Sequence, residues 1–282
     1  MTIPTMVTGT ATSADGTSIV FDRLGAGPVV VLVHGAITDR SHPTLAEVAR
    51  VLSRWFTVVN YDRRGRGGSG DTRPYAVQRE IEDLAAVITA TGDRAMVFGG
   101  SSGAALALEA AARLPAITAA RLPAITCLAL WEPPYHVDST APHLPDDFAA
   151  RLTTLIEAGR PGDAVELFMV RAAEVPADAV AGMRSHASWP HLEAIARTLA
   201  YEAEIMSPAN RLPTAIAASL TQPALVLNGG DSPAWMRKAG TAVARTIPTA
   251  CHRLLPGQSH DVAPQALAPE LLEFFAREQG HP

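Results

Sequence analysis

With 282 residues, 48% hydrophobic and 18% charged, the chain has apolar content enough for one large core and the balance of a soluble globular protein. A formal net charge of −5 argues against nucleic acid or an anionic membrane as partner, because no basic surplus exists to neutralise phosphates, and the short Arg63-Arg64-Gly65-Arg66 stretch does not change that. No run of about eighteen apolar residues is present and the N-terminus lacks the pattern of a signal peptide, so a cytoplasmic protein is expected.

In chain order, residues 5–12 and 17–23 read as two short strands joined by a hairpin turn at Ala14-Asp15-Gly16. Residues 28–33 are a solid apolar run, as expected of a strand buried on both faces of a parallel sheet. Helical spacing of Leu45, Val48, Ala49 and Leu52 marks a helix over 43–53, followed by a strand at 56–61 and a loop rich in glycine and arginine at 62–70. Residues 75–90 form an amphipathic helix, with Ile81, Leu84, Ala85 and Ile88 on one face.

The strand at 95–98 runs into Gly99-Gly100-Ser101-Ser102-Gly103, and a helix of small residues follows over 102–114. This G-x-S-x-G pattern puts a serine on a tight strand-to-helix turn, tolerated only where its neighbours lack bulk. The Ser101 hydroxyl then stands clear of the sheet, and the next backbone N–H, that of Ser102, points toward any oxyanion that forms there. Residues 111–118 and 119–126 repeat the same eight residues in succession, too short a unit for a solenoid and expected to occupy a surface connection.

A strand at 126–130 ends at Trp131-Glu132-Pro133-Pro134. From about residue 146 to 220 the pattern shows four helical segments and no strand, which breaks the alternation and reads as a lid at the edge of the site. Strands at 224–227 and 252–255, and a last helix at 265–277, complete the chain. The expected fold is α/β, a doubly wound, mostly parallel eight-stranded sheet, with residues 1–135 and 221–282 as core and 136–220 as an inserted helical cap. Cys127 and Cys251 have a strand between them, roughly 9–10 Å between Cα atoms, and are expected to be buried small hydrophobes rather than a disulfide.

Ser101 needs a base, and the base an orienting acid. His260 lies in a glycine turn after the last strand, on the sheet edge where the turn after Phe98 opens. Asp231 ends the strand-then-loop Asn228-Gly229-Gly230-Asp231 at that edge, although Asp231-Ser232-Pro233 also reads as a helix start. Glu132, also at the C-terminal end of a strand, is the rival acid, and Asp261 is disfavoured because adjacent loop side chains diverge. Ala36, two residues after His34, is placed to supply the second oxyanion N–H beside Ser102, with His34 buttressing that loop. Trp131, Tyr135, Trp189, Tyr201 and Trp235 fall where a lid and pocket rim belong, and either contact substrate or pack the lid.

His34-Gly35, Tyr61-Asp62-Arg63-Arg64-Gly65-Arg66-Gly67-Gly68-Ser69, the elbow at 99–103, Gly230-Asp231, and Gly257 with His260 occur in the order nucleophile, acid, histidine. On these residues the chain resembles the α/β-hydrolases of the esterase, haloperoxidase and C–C hydrolase group over nearly its whole length. The resemblance implies a triad of Ser101, Asp231 and His260, with Glu132 as alternative acid and Ala36 and Ser102 as oxyanion donors. It implies a hydrolase for a carboxylic ester, lactone or thioester, acting through an acyl-enzyme. Two alternatives stand beside it. The same machinery serves C–C cleavage, perhydrolysis or acyl rearrangement, or the fold binds ligand without turnover. A small-molecule substrate is the expected partner, and no cofactor or metal is expected, since no cluster has metal-ligand spacing and neither glycine motif binds phosphate or dinucleotide.

Overall fold

Strands that are apolar on both sides need helices above and below them, and the chain is arranged that way in the computed structural model, which describes residues 5–114 and 124–280. A hairpin of β1 (Val7–Thr12) and β2 (Ser18–Leu24) precedes β3 (Val29–Val33), α1 (Pro43–Leu52), β4 (Thr57–Tyr61), α2 (Val77–Thr91), β5 (Ala95–Gly100), α3 (Ser102–Arg113) and β6 (Ile125–Trp131). After a long helical excursion come β7 (Ala224–Gly229), α10 (Ala234–Thr246), β8 (Ala250–Leu255) and α11 (Pro264–Glu278). The eight strands form one sheet in the order β1-β2-β4-β3-β5-β6-β7-β8, antiparallel at β1–β2 and β2–β4 and parallel from β4 onward.

Alternate residues of each central strand enter two different apolar layers. Val31, Val33, Leu128 and Val226 pack with Leu84 of α2 and Leu106 of α3. Val30, Leu32, Ala129 and Leu227 pack with Val48 of α1 and Phe274 of α11. A sheet sandwiched in this way exposes its loops only at the strand ends, so chemistry collects at the edge where the parallel strands terminate.

Between β6 and β7 lie α4 (Phe148–Glu157), α5 (Pro161–Arg171), α6 (Ala177–Met183), α7 (Trp189–Ile195), a 3₁₀ turn at Ala196–Thr198, α8 (Leu199–Ile205) and α9 (Thr214–Ser219). These are more and shorter helices than the four segments expected. Prolines cut them, since Pro161 and Pro190 sit in the first turns of α5 and α7 while Pro176 and Pro213 cap α6 and α9. The inserted helices have an apolar cluster of their own, built on Phe148, Leu152, Val165, Val180, Trp189 and Leu199.

Cys127 and Cys251 are both free thiols on strands separated by β7. Cys127 is buried, and burial pushes its thiol up to about 12. Cys251 departs from expectation and is exposed, because β8 is an edge strand covered on too little of its surface. The duplicated octapeptide falls largely on residues 115–123, outside the described residues. Among the described residues no helix is long and apolar enough to cross a membrane.

Candidate active site

Ser101 sits between β5 and α3 with φ 56° and ψ −126°, a backbone conformation that costs an L-residue on the order of 1–3 kcal/mol. The surrounding packing enforces it. A Cβ on Gly103 would stand 2.5 Å from the carbonyl oxygens of both Val33 and His34, so only glycine lets the end of β3 lie against the elbow. A Cβ on Gly35 would come within 2.9 Å of the Ser101 Cβ, which puts the loop after β3 directly beside the serine. Ser102 takes the first position of α3, where backbone N–H groups have no acceptor within the helix. Ala36 follows Gly35 in the adjoining turn. The two backbone positions proposed as oxyanion donors therefore flank the serine.

The carboxylate that meets His260 is Glu132, not Asp231. The His260 Nδ1–H donates to Glu132 Oε2 at 2.8 Å, and Glu132 Oε1 accepts from the Gly229 N–H at 2.8 Å and from Asn228 Nδ2 at 3.4 Å. Glu132 is fully buried, with φ 45° at the end of β6 just before Pro133. Burial raises the affinity of its carboxylate for a proton, but the hydrogen bond and charge of His260 and the Gly229 N–H outweigh this and hold it below the ordinary value. With Nδ1 occupied, Nε2 is the His260 nitrogen free to exchange a proton, on a ring whose side chain is 43% exposed.

Trp131, next to Glu132, joins the pieces. Its carbonyl accepts from the Ser101 N–H at 2.8 Å, and its indole N–H donates to the His260 carbonyl at 3.0 Å. One residue of β6 thus ties the backbones of the serine and the histidine to the strand end that carries the acid. Asp231 is exposed, its backbone N–H donating to Gln258 O at 2.9 Å, and α10 begins from Pro233 instead of from an aspartate cap. Asp231 therefore braces the histidine loop through its main chain, and among the described residues its side chain has no hydrogen bond to His260.

The five aromatic residues are all buried and largely occupied by protein contacts. Trp131 and Tyr135 belong to the core layers, and Trp189 to the inserted cluster, where its indole N–H meets Glu193 at 3.0 Å. Trp235 donates to Glu174 at 2.6 Å. Tyr201 stacks on Tyr75 at 3.8 Å between ring centroids and lines a cleft of about 490 Å³ between α4, α8 and the segment before α2.

A buried ionic cluster was not foreseen. Arg63, Arg64 and Arg66, which in the sequence form a short basic stretch within the glycine-rich motif at 61–69, are all buried. Arg63 forms paired 2.7 Å bonds with Glu80, and Arg64 does the same with Asp83. Arg66 pairs with Glu202 of α8, which also reaches Arg63 at 3.1 Å. The available signal was two acids, Glu80 and Asp83, among the apolar positions of α2. His34 lies alongside, fully buried, with its Nε2–H donating to Asn60 Oδ1 at 2.6 Å. Burial, helped by the Arg66 charge, lowers its pKa to about 4, so it stands neutral as a buttress. Among the described residues no group of three or more His, Cys, Asp or Glu is arranged to hold a metal ion.

Residues 30–271 match the family model described as Alpha/beta hydrolase family. An alpha/beta hydrolase from Sphaerobacter thermophilus DSM 20745 superposes with a TM-score of 0.86 at 52% identity, covering 95% of this chain and 100% of that one. A thermophilic esterase from Thermogutta terrifontis gives 0.73 at 22% identity, covering 97% and 99%. Among curated proteins, the uncharacterized hydrolase YraK of Bacillus subtilis (strain 168) is 37% identical over 106 residues, a match spanning 36% of this chain and 38% of YraK.

Proposed function

Because the chain belongs to the alpha/beta hydrolase family, we propose that it is a serine hydrolase that cleaves a carboxylic ester, lactone or thioester through an acyl-enzyme on Ser101. The observation that carries this reading is the hydrogen-bonded pair of His260 and Glu132, tied through Trp131 to the strained backbone of Ser101. In this reading Ser101 Oγ attacks the substrate carbonyl while His260 Nε2 takes its proton. Glu132 holds the Nδ1–H tautomer and stabilises the imidazolium, and Asp231 has no part in the chemistry. The N–H groups of Ala36 and Ser102 receive the oxyanion, each such donor being worth roughly 3–4 kcal/mol of barrier. When the tetrahedral intermediate collapses, His260 returns the proton to the departing alcohol or thiol. Water then attacks the acyl group with His260 again as base, and Ser101 is regenerated. The inserted helices serve as the cap over this edge, and the cleft beside Tyr201, lined by residues 73–75 on one side and by α4 and α8 on the other, lies between the cap and the core.

The likeness to an esterase at 22% identity supports the fold alone, so the ester assignment rests on the residues. Two measurements test it together. A fluorophosphonate probe is expected to label Ser101 covalently, and the protein is expected to hydrolyse short-chain p-nitrophenyl esters. Ser101→Ala should abolish both, and unchanged turnover in that variant would remove the assignment.

A further inference from the structure

We infer that Arg66 is the positioning residue of the oxyanion hole and that Glu202, carried by the inserted helix α8, is the counterion that keeps it in place. This rests on the hydrolase reading above and deepens it. The Gly35 carbonyl and the Ala36 N–H belong to one peptide unit, which is planar and trans, so they point in opposite directions. Whatever grips the carbonyl therefore aims the N–H. Arg66 Nη1 donates to the Gly35 carbonyl, and the Thr38 hydroxyl donates to the same oxygen at 3.1 Å. The same Nη1 reaches the Thr38 carbonyl at 3.0 Å, and Arg63 Nη1 reaches the His34 carbonyl at 3.1 Å. Two guanidinium groups thus hold three carbonyls of the turn over 34–38, in which Ile37 adopts φ 50° and needs outside support. Cationic donors on a peptide oxygen also polarise the N–H at its other end.

Arg66 is buried, with a side chain 1% exposed, and Glu202 is 2% exposed. Glu80 is already bound by Arg63 through both oxygens, so among the described residues Glu202 is the carboxylate that meets Arg66. A buried guanidinium without its carboxylate is strongly disfavoured. Seating α8 on the core is therefore part of forming the hole, and the inserted helices contribute to catalysis beyond shaping a pocket.

The test compares wild type, Glu202→Gln and the double variant Arg66→Met/Glu202→Gln, which removes one positive and one negative charge together and so avoids an unpaired buried ion. Each is assayed with a p-nitrophenyl ester and its thiono analogue, whose sulfur is received poorly by a working oxyanion hole, and each is checked for a native melting transition. The double variant is expected to fold, to lose about 10- to 100-fold in kcat with KM within about threefold, and to discriminate less between the oxo and thiono substrates. Glu202→Gln, which keeps an acceptor but not the charge, should lose about 3- to 10-fold with the same trend. Should the double variant not fold, the near-isosteric Glu202→Gln decides by the same ratio. A folded variant that keeps the wild-type oxo-to-thiono ratio overturns the inference, whatever its kcat. Absence of wild-type hydrolysis and of Ser101 labelling would instead overturn the hydrolase reading itself.

Discussion

The ends of β6 and β7 lie side by side on the same sheet edge and each is followed by a carboxylate, yet the two are treated in opposite ways. Glu132 is fully buried and receives bonds from His260, Gly229 and Asn228, whereas Asp231 is exposed and contributes a backbone N–H to Gln258. The second strand end serves the first, for Asn228 and Gly229 of β7 are the donors that hold the acid of β6. A carboxylate near a histidine is thus not enough. Orientation requires donors for its remaining lone pairs and exclusion of water, and only one of these two strand ends provides both.

The largest separation of the two ends is expected from Glu132→Gln. An amide there no longer stabilises an imidazolium and favours the wrong tautomer, so kcat for a p-nitrophenyl ester should fall by roughly 10³–10⁴-fold. A variant that retained wild-type turnover would break the comparison at its first term.

The buried end of β3 extends the comparison to stability. His34 takes a proton near 6.5 when unfolded but only at about 4 when folded, so the unfolded chain binds more protons in between. About 3 kcal/mol of stability, present in full above pH 6.5, should therefore be lost as the pH falls to 4. Urea unfolding across that range checks it, and His34→Gln should flatten the slope. Glu132, held below its ordinary 4.5, adds its own loss once the pH falls below about 4.5.

Asn228→Ala tests the supporting strand end. It removes a donor to Glu132, leaves the Met236 carbonyl without its 3.1 Å partner, and frees His252 from a 2.9 Å bond. A loss of about 1–3 kcal/mol in unfolding free energy is expected. The fall in kcat should stay under about tenfold, because the Gly229 N–H still holds Oε1. The smallest effect belongs to Asp231→Asn, which should leave kcat within about twofold and stability within about 0.5 kcal/mol. A large loss there would reverse the comparison.

Much of this was legible along the chain. Apolar runs located every strand of the sheet and helical spacing most of its helices to within a few residues, because strands buried on both faces have little choice of composition, whereas α10 showed only its start at Asp231-Ser232-Pro233. Glycines at 99 and 103 announced the turn at Ser101, whose backbone adopts φ 56°. Choosing between Glu132 and Asp231 was beyond the same reasoning. Both stand where a strand ends, and the choice depends on donors 96 and 97 positions further along the chain. The arginines at 63, 64 and 66 were equally opaque, since basic residues in a loop look solvated until their partners at 80, 83 and 202 are brought against them.

Local pattern alone determined the order of strands and helices, the strained serine turn and the strand ends able to carry a site, because periodicity and glycine act over a few neighbouring residues. The tertiary structure decided which acid holds His260, which carbonyls the buried arginines grip, and how α8 reaches the turn at 34–38. Those outcomes depend on burial and on hydrogen-bond partners from 28 residues apart, as for Arg66 and Thr38, to 136 apart, as for Arg66 and Glu202, and such proximity exists only once the sheet has assembled.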